Sequence, residues 1–285
     1  MFVKSLLGLA LIILALPAVV AAEANCTSLK EQLHKERNLL KKRQMLTQAI
    51  ASCPADAELH YMYAYSAERL RKYDNALKSY LETITIDSGF SKAYFGLGDI
   101  YMVLGNAEAA IRAYEQGLVL EPADTRARAS LELARIKHKA ASGDRISSGE
   151  FIRVMQESNS RSTTEGAIDG PLLRLQIQFA VSSADLTPQA KEQLETVGQA
   201  LEDQALAGQA FEIAGHTDDS GSSEANLQLS KERAEQVRSY LLTNFAIVAD
   251  KLSVAYYGDT RPAVPNTSSE NRALNRRVEF RKVVP

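Results

Sequence analysis

The sequence predicts two domains, an all-α array of helical repeats followed by an α/β (α+β) sandwich on a small mixed sheet. Three observations predict it. Residues 57–90 and 91–124 repeat each other at a period of 34 residues, the length of one helix-turn-helix unit. From Leu172 onward short runs of two-residue apolar alternation replace the helical pattern and themselves alternate with helix-length stretches. Between the two regions, Ala140 to Gly170 is rich in Ser, Gly and Thr, which is the composition of a linker.

The chain has 285 residues and a formal net charge of -2, a size for one or two domains plus a targeting segment. Lys and Arg are spread through both halves, so nothing points to nucleic acid. The chain opens Met1-Phe2-Val3-Lys4 and runs almost unbroken in apolar residues from Leu6 to Val20; Pro17 and then Ala21-Ala22 supply a processing site. Residues 1–22 read as a secretory signal peptide. An uncleaved membrane anchor is the competing reading, because the run nearly reaches bilayer-spanning length. Glu23-Ala24-Asn25 ahead of Cys26 lack the aliphatic and small residues of a lipid-attachment site. An exported chain enters a compartment where disulfides persist. Its two cysteines, Cys26 and Cys53, either pair or stay as small buried residues. With His34, His60, His138 and His216 scattered along the chain, no metal site and no cofactor are expected.

From Glu23 to Ser52, Leu29, Leu33, Leu40, Leu46 and Ile50 recur among dense charges, and Cys53-Pro54-Ala55-Asp56 breaks the helix. Beyond Ala57 the period takes over: Leu70 matches Leu104, Ala76 matches Ala110, Tyr80 matches Tyr114 and Ile84 matches Leu118. These residues resemble the tetratricopeptide repeat, with units at 57–90 and 91–124 and a degenerate unit at 23–56 in an array over residues 23–140. In that register Cys26 begins one helix and Cys53 ends its antiparallel partner, which is what a disulfide needs. The turn near Arg37-Asn38 is poorly marked, and a single long helix there would forbid the bond. Thr125 to Lys139 reads as a terminal solvating helix. By repeat register Tyr61, Tyr65, Phe95, Asp99 and Met102 line a concave groove for a protein partner. Ordinary packing is the alternative, against which stands the cost of exposing surplus aromatic residues.

Residues 141–170 form the linker, with one short helix announced by the capping box Ser147-x-x-Glu150 ahead of Phe151, Ile152, Val154 and Met155. That helix could dock on either domain. The last domain, 171–285, begins with a strand from Leu172 to Phe179. Thr187 and Pro188 then cap and start a helix that runs towards Leu201. Phe211, Ile213 and Ala214 make a buried strand, followed by a polar loop and a long helix with Ser230, Ala234, Val237 and Leu241 facing inward. Leu252–Tyr257 and Arg276–Val283 are further strands, in a sheet expected to be mostly parallel.

His216-Thr217-Asp218-Asp219 occupies the turn from strand to helix, a common address for ligands in α/β folds. Arg233 follows Asp218 by fifteen residues, so the loop can fold an acid and a guanidinium into one pocket, or simply make an ion pair of them. Ser220 or Ser222 with His216 and Asp218 has the composition of a nucleophile system. However, no G-x-S-x-G turn is present, and His216 lies only two residues from Asp218. Gly215 and Gly221 do not fit a nucleotide-binding loop either. Binding without catalysis is the expectation.

The string G-H-T-D-x-x-G at Gly215–Gly221, then N-x-x-L-S-x-x-R-A-x-x-V-x-x-Y-L at Asn226–Leu241, continues through Gly258, Pro262 and Asn266 to Asn275-Arg276-Arg277-Val278-Glu279. It resembles the peptidoglycan-binding domain at the C-terminus of OmpA and related outer-membrane lipoproteins, over roughly Leu172 to Val283. The resemblance implies that Asp218 takes the ammonium, and Arg233 the carboxylate, of meso-diaminopimelate in the peptidoglycan stem peptide, complementary groups in each case. Arg276, Asn226, Thr217 and Ser182 are implied as further contacts, and Arg277 as structural. Two positions depart from the family: Tyr256 stands where a Gly is usual, and Ser182 where a longer Asn is usual. The implied protein is a non-enzymatic adaptor in the periplasm, associated with cell wall and outer membrane, that joins peptidoglycan to a partner of the repeats. The alternative is a repeat scaffold or chaperone cofactor whose C-terminal domain only anchors or dimerises.

Overall fold

The computed structural model describes residues 16–157, 170–180 and 183–284. Most of the predicted signal segment, the second half of the predicted linker and Ser182 lie outside the described residues. Among the described residues no helix is long and apolar enough to cross a membrane. They divide into two compact units, one ending at Ile100 and regaining Ala113–Asp124, the other holding Tyr101–Arg112 and everything from Thr125 onward.

The first unit is built from α1 (Leu16–Lys35), α2 (Leu39–Ser52), α3 (Ala57–Arg69) and α4 (Tyr73–Ile86), with parts of α5 (Ser91–Val103) and α6 (Ala107–Leu120). The turn between α1 and α2 is made by Asn38, whose side chain accepts the Lys41 N–H at 3.0 Å, while Glu36 accepts the N–H of Asn38 at 2.8 Å. These caps satisfy donors a continuous helix would have satisfied internally, and the hairpin forms. Cys26 and Cys53 are bonded across it, with Cα atoms 6.0 Å apart. Leu33, Leu46, Ala49, Leu59 and Met62 form the small core beneath.

In α5 the small residues of the repeat do specific work. A Cβ on Gly96 would come within 2.3 Å of the Tyr80 ring, and one on Gly98 within 2.5 Å of the Tyr114 ring. The Tyr80 hydroxyl donates to Glu68 at 2.7 Å and that of Tyr114 to Asp99 at 2.8 Å, so each buried ring keeps a partner for its polar end. This placement corrects the groove expected from the sequence. Phe95 and Asp99 are each only 4% exposed, Phe95 pressed on Gly117 and Asp99 engaged with Tyr114; both are packing residues. Tyr61 is half-buried, stacked on Tyr65 at 6.4 Å and against Phe90 at 4.9 Å, and Tyr65 is exposed. Met102 is half-buried and belongs to the other unit.

The second unit contains α7 (Thr125–Ala141), α8 (Ser148–Met155), β1 (Leu172–Leu175), α9 (Pro188–Glu202), β2 (Ala210–Gly215), α10 (Ser223–Asn244), β3 (Leu252–Tyr256), α11 (Ser269–Asn275) and β4 (Val278–Val283). The sheet order is β1-β4-β2-β3. Only β2 and β3 run parallel, because β4, the last strand, inserts antiparallel between β1 and β2. The sheet is therefore mixed, and mostly antiparallel where the sequence suggested mostly parallel. Leu194, Val197 and Leu201 of α9 and Ala234, Val237 and Leu241 of α10 share one core with Leu173, Ile213 and Phe280 of the sheet.

Neither α7 nor α8 behaves as a solvated cap or a linker. Ile136 and Ala140 of α7, Ile146, and Phe151, Val154 and Met155 of α8 lie in that same core. Phe151 meets Phe280 edge-on at 5.8 Å. The Ser147–Glu150 capping box forms, with bonds of 2.6 and 3.2 Å, and orients the apolar face of α8 inward. The short α11, capped by Ser268, was not legible in the sequence and shortens the last strand to begin at Val278.

Candidate functional site

Strand β2 is buried and ends at Gly215, where a Cβ would lie 2.1 Å from the Ser230 carbonyl oxygen of α10. Only glycine permits that approach. It lets the 216–222 loop fold over the start of α10, which Ser222 caps by accepting the Ala225 N–H at 3.2 Å. On the other side, the antiparallel register pairs Gly215 with Val278. Extending it one step brings the His216 N–H to the Arg277 carbonyl at 3.0 Å. The loop after β2 and the turn before β4 are therefore neighbours.

That register decides the partner of Asp218. Its Oδ2 accepts from Arg276 Nη1 at 2.5 Å and its Oδ1 from the Ser220 N–H at 2.9 Å. Burial pushes this carboxyl up, but the Arg276 hydrogen bond and the Ser220 N–H outweigh it and hold the group below the usual carboxylate range. Arg233 lies on the opposite bank. It is half-buried, its Nε donates to the Ser183 carbonyl at 3.2 Å, and its guanidinium sits 4.8 Å from the centre of the Phe179 ring. Burial first, then the nearby Arg276 charge, lower its pKa against the opposing pull of Asp218. The ion pair formed is thus Asp218–Arg276 and not Asp218–Arg233, and the Arg233 guanidinium is held instead by Ser183 and Phe179.

The other expected residues divide between pocket and scaffold. Asn226 is buried and donates to the Asp218 carbonyl at 3.1 Å, so it shapes the loop. Thr217 is 3% exposed; its N–H donates to the Gly258 carbonyl at 2.9 Å, while its hydroxyl has no hydrogen-bond partner among the described residues. A buried hydroxyl without a partner is costly in a folded protein, and this one lies next to Asp218 in the chain. Arg277 is buried and bound to Glu279 through Nε at 2.9 Å and Nη2 at 2.7 Å. Glu279 also accepts from Arg174 at 3.0 Å and lies 3.5 Å from His216 Nε2. Although burial pushes Glu279 up, His216, Arg277 and Arg174 hold it well below the carboxylate range. His216 thus faces Glu279, whereas Asp218 faces Arg276. Ser222 is a helix cap, and the nucleophile arrangement considered from the sequence does not assemble. Among the described residues no group of His, Cys, Asp and Glu is placed to hold a metal ion.

Phe179, Ser183 and Arg272 border the site without having been expected as contacts from the sequence. Arg272 binds Asp219 at 2.9 Å. Arg272 lies on α11, and since that short helix was not legible in the sequence, no spacing pointed to it. Chemically the pocket offers one buried carboxylate, two guanidinium groups and a hydroxyl, a set that matches a ligand end carrying both positive and negative charge.

Comparison with known proteins adds a second line. The OmpA family matches residues 178–276, and the tetratricopeptide repeat matches 57–90 and 91–124. The chain is 32% identical over 149 residues to the peptidoglycan-associated lipoprotein of Pseudomonas aeruginosa, covering 50% of this chain and 83% of that protein. It is 33% identical over 124 residues to the protein of the same name from Pseudomonas putida, covering 41% of this chain and 72% of that one. Among solved structures, a MotB-like protein from Desulfovibrio vulgaris is 35% identical and covers 39% of this chain and 71% of its own, with a TM-score of 0.35.

Proposed function

This chain belongs to the OmpA family, and from that premise we propose that it is a non-enzymatic adaptor of the cell envelope which holds peptidoglycan without a covalent bond. The ligand is the free end of meso-diaminopimelate in the stem peptide, which carries an ammonium and a carboxylate on one carbon. Asp218 receives the ammonium, and Arg233 and Arg276 receive the carboxylate. The observation that carries this reading is the Asp218 carboxylate, 9% exposed just beyond β2 and paired with Arg276, with the Arg233 guanidinium near enough to feel both charges. Thr217 adds its unpaired hydroxyl. The names of the Pseudomonas relatives, peptidoglycan-associated lipoproteins, support peptidoglycan as the wall component that is bound. The tetratricopeptide repeats are proposed to hold a protein partner, with the exposed Tyr65 and the Tyr61 stacked on it as the contact.

Co-sedimentation with purified sacculi tests the wall-binding part. The wild type is expected to pellet with sacculi. Asp218→Ala and Arg233→Ala, each removing charge-assisted hydrogen bonds of about 1.5–3 kcal/mol, should lose about tenfold or more in affinity while still unfolding cooperatively. Equal retention of well-folded variants would refute the assignment.

A further inference from the structure

We infer that Arg276 is a specificity-determining residue because it occupies Asp218 as an internal cation in the free protein, so that a ligand ammonium enters by exchange. The inference rests on the ligand class proposed above. The occupied state is explicit: Arg276 Nη1 lies 2.5 Å from Asp218 Oδ2, and the second oxygen is held by the Ser220 N–H. The two arginines of the pocket differ in how they are held. Arg233 is fixed by the Ser183 carbonyl and the Phe179 ring. The Arg276 side chain is 48% exposed, against 9% for Asp218, so it can swing into water at little desolvation cost. Asp219, the neighbouring carboxylate, already binds Arg272 at 2.9 Å and is not a vacant refuge for a displaced Arg276.

Charge counting then separates two kinds of ligand. A ligand with an ammonium alone replaces one cation by another at Asp218 and leaves Arg276 beside Arg233 with no new anion. The exchange gains little, and two like charges repel. A ligand with ammonium and carboxylate on one carbon returns an anion to the two arginines in the same step. Selectivity for diaminopimelate over lysine in the stem peptide is therefore set partly by what the empty site already contains, and not only by the contact Arg233 makes. Direct contact and exchange make different predictions for the lysine-type ligand. Loss of a carboxylate contact leaves it untouched, whereas loss of an internal competitor improves it.

The test titrates lysine-type and diaminopimelate-type muropeptides into the full chain, as wild type and as Arg276→Gln, which keeps a hydrogen-bonding group and removes the charge. Lysine-type affinity should rise about two- to fivefold, the range of an exposed ion pair; diaminopimelate-type affinity should fall, and the ratio between them contract. In parallel, carboxyl NMR of the ligand-free protein should show Asp218 titrating at higher pH in the variant. If the wild type binds and lysine-type affinity is unchanged or lower in the variant, or if Asp218 titrates as before, the exchange is overturned and the wall-binding reading stands. If the wild type binds neither muropeptide, both fall.

Discussion

At His216 burial outweighs the Glu279 carboxylate, and the ring is held below its ordinary pKa. The residue is 2% exposed, and the groups facing it are Glu279, Arg277, Arg174 and the Tyr257 ring at 5.3 Å. Because the folded-state value is depressed, the unfolded chain binds this proton first. The stability contributed by the neutral ring is fully present above about pH 6.5 and is lost as pH falls below that value. The melting temperature should decline between about pH 7 and 5, and His216→Gln should flatten that part of the profile. An unchanged slope in the variant would mean that another group titrates there. Asp218 is also depressed, so its contribution disappears only at lower pH, as the carboxylate is protonated below about 3.8. The two residues can thus be told apart by window.

Among the elements, the α1–α2 hairpin depends most on a covalent bond. Its core is small, and the Cys26–Cys53 disulfide spans 27 residues. Closing such a loop stabilises by about 3–4 kcal/mol in the chain-entropy model. Both thiols should resist alkylation in the native export compartment until a reductant is added. Reduction should then release α1 and α2 at a lower temperature than the rest of the chain. Two freely alkylated cysteines would leave the hairpin to its Asn38 cap alone, which is worth about 1 kcal/mol.

On the scale of the whole molecule, the boundary of the C-terminal unit lies well before the first strand. Ile136, Ile146, Phe151, Val154 and Met155 are buried in its core. A fragment beginning at residue 171 loses all of them, and removal of one buried Phe alone costs about 3–5 kcal/mol. The fragment 125–285 should therefore melt cooperatively, whereas 171–285 should melt far lower or expose apolar surface to a hydrophobic dye. Equal melting temperatures would place α7 and α8 outside the folding unit. Since Asp218, Arg233 and Arg276 lie outside the deleted segment, any 171–285 fragment that stays folded should still be retained by sacculi.

Sequence alone determined the features that arise from local or periodic physics. The 34-residue period identified the repeats, since each unit must present the same small and aromatic residues to its neighbours. The caps at Ser147 and Thr187 act within three residues. The loop His216–Asp218 was legible as a candidate because its polar residues stand where a buried strand ends and a long helix begins. Tertiary structure decided what depends on residues far apart in the chain. Insertion of β4 between β1 and β2 made the sheet mostly antiparallel and set Arg276 rather than Arg233 beside Asp218, a choice fixed by the Gly215–Val278 register across more than sixty residues. It also took Phe95 and Asp99 out of the expected groove, by packing one on Gly117 and bonding the other to Tyr114. And it assigned α8 to the C-terminal core: an amphipathic helix specifies an apolar face, but which surface covers that face depends on shape and position, and those exist only once the chain has folded.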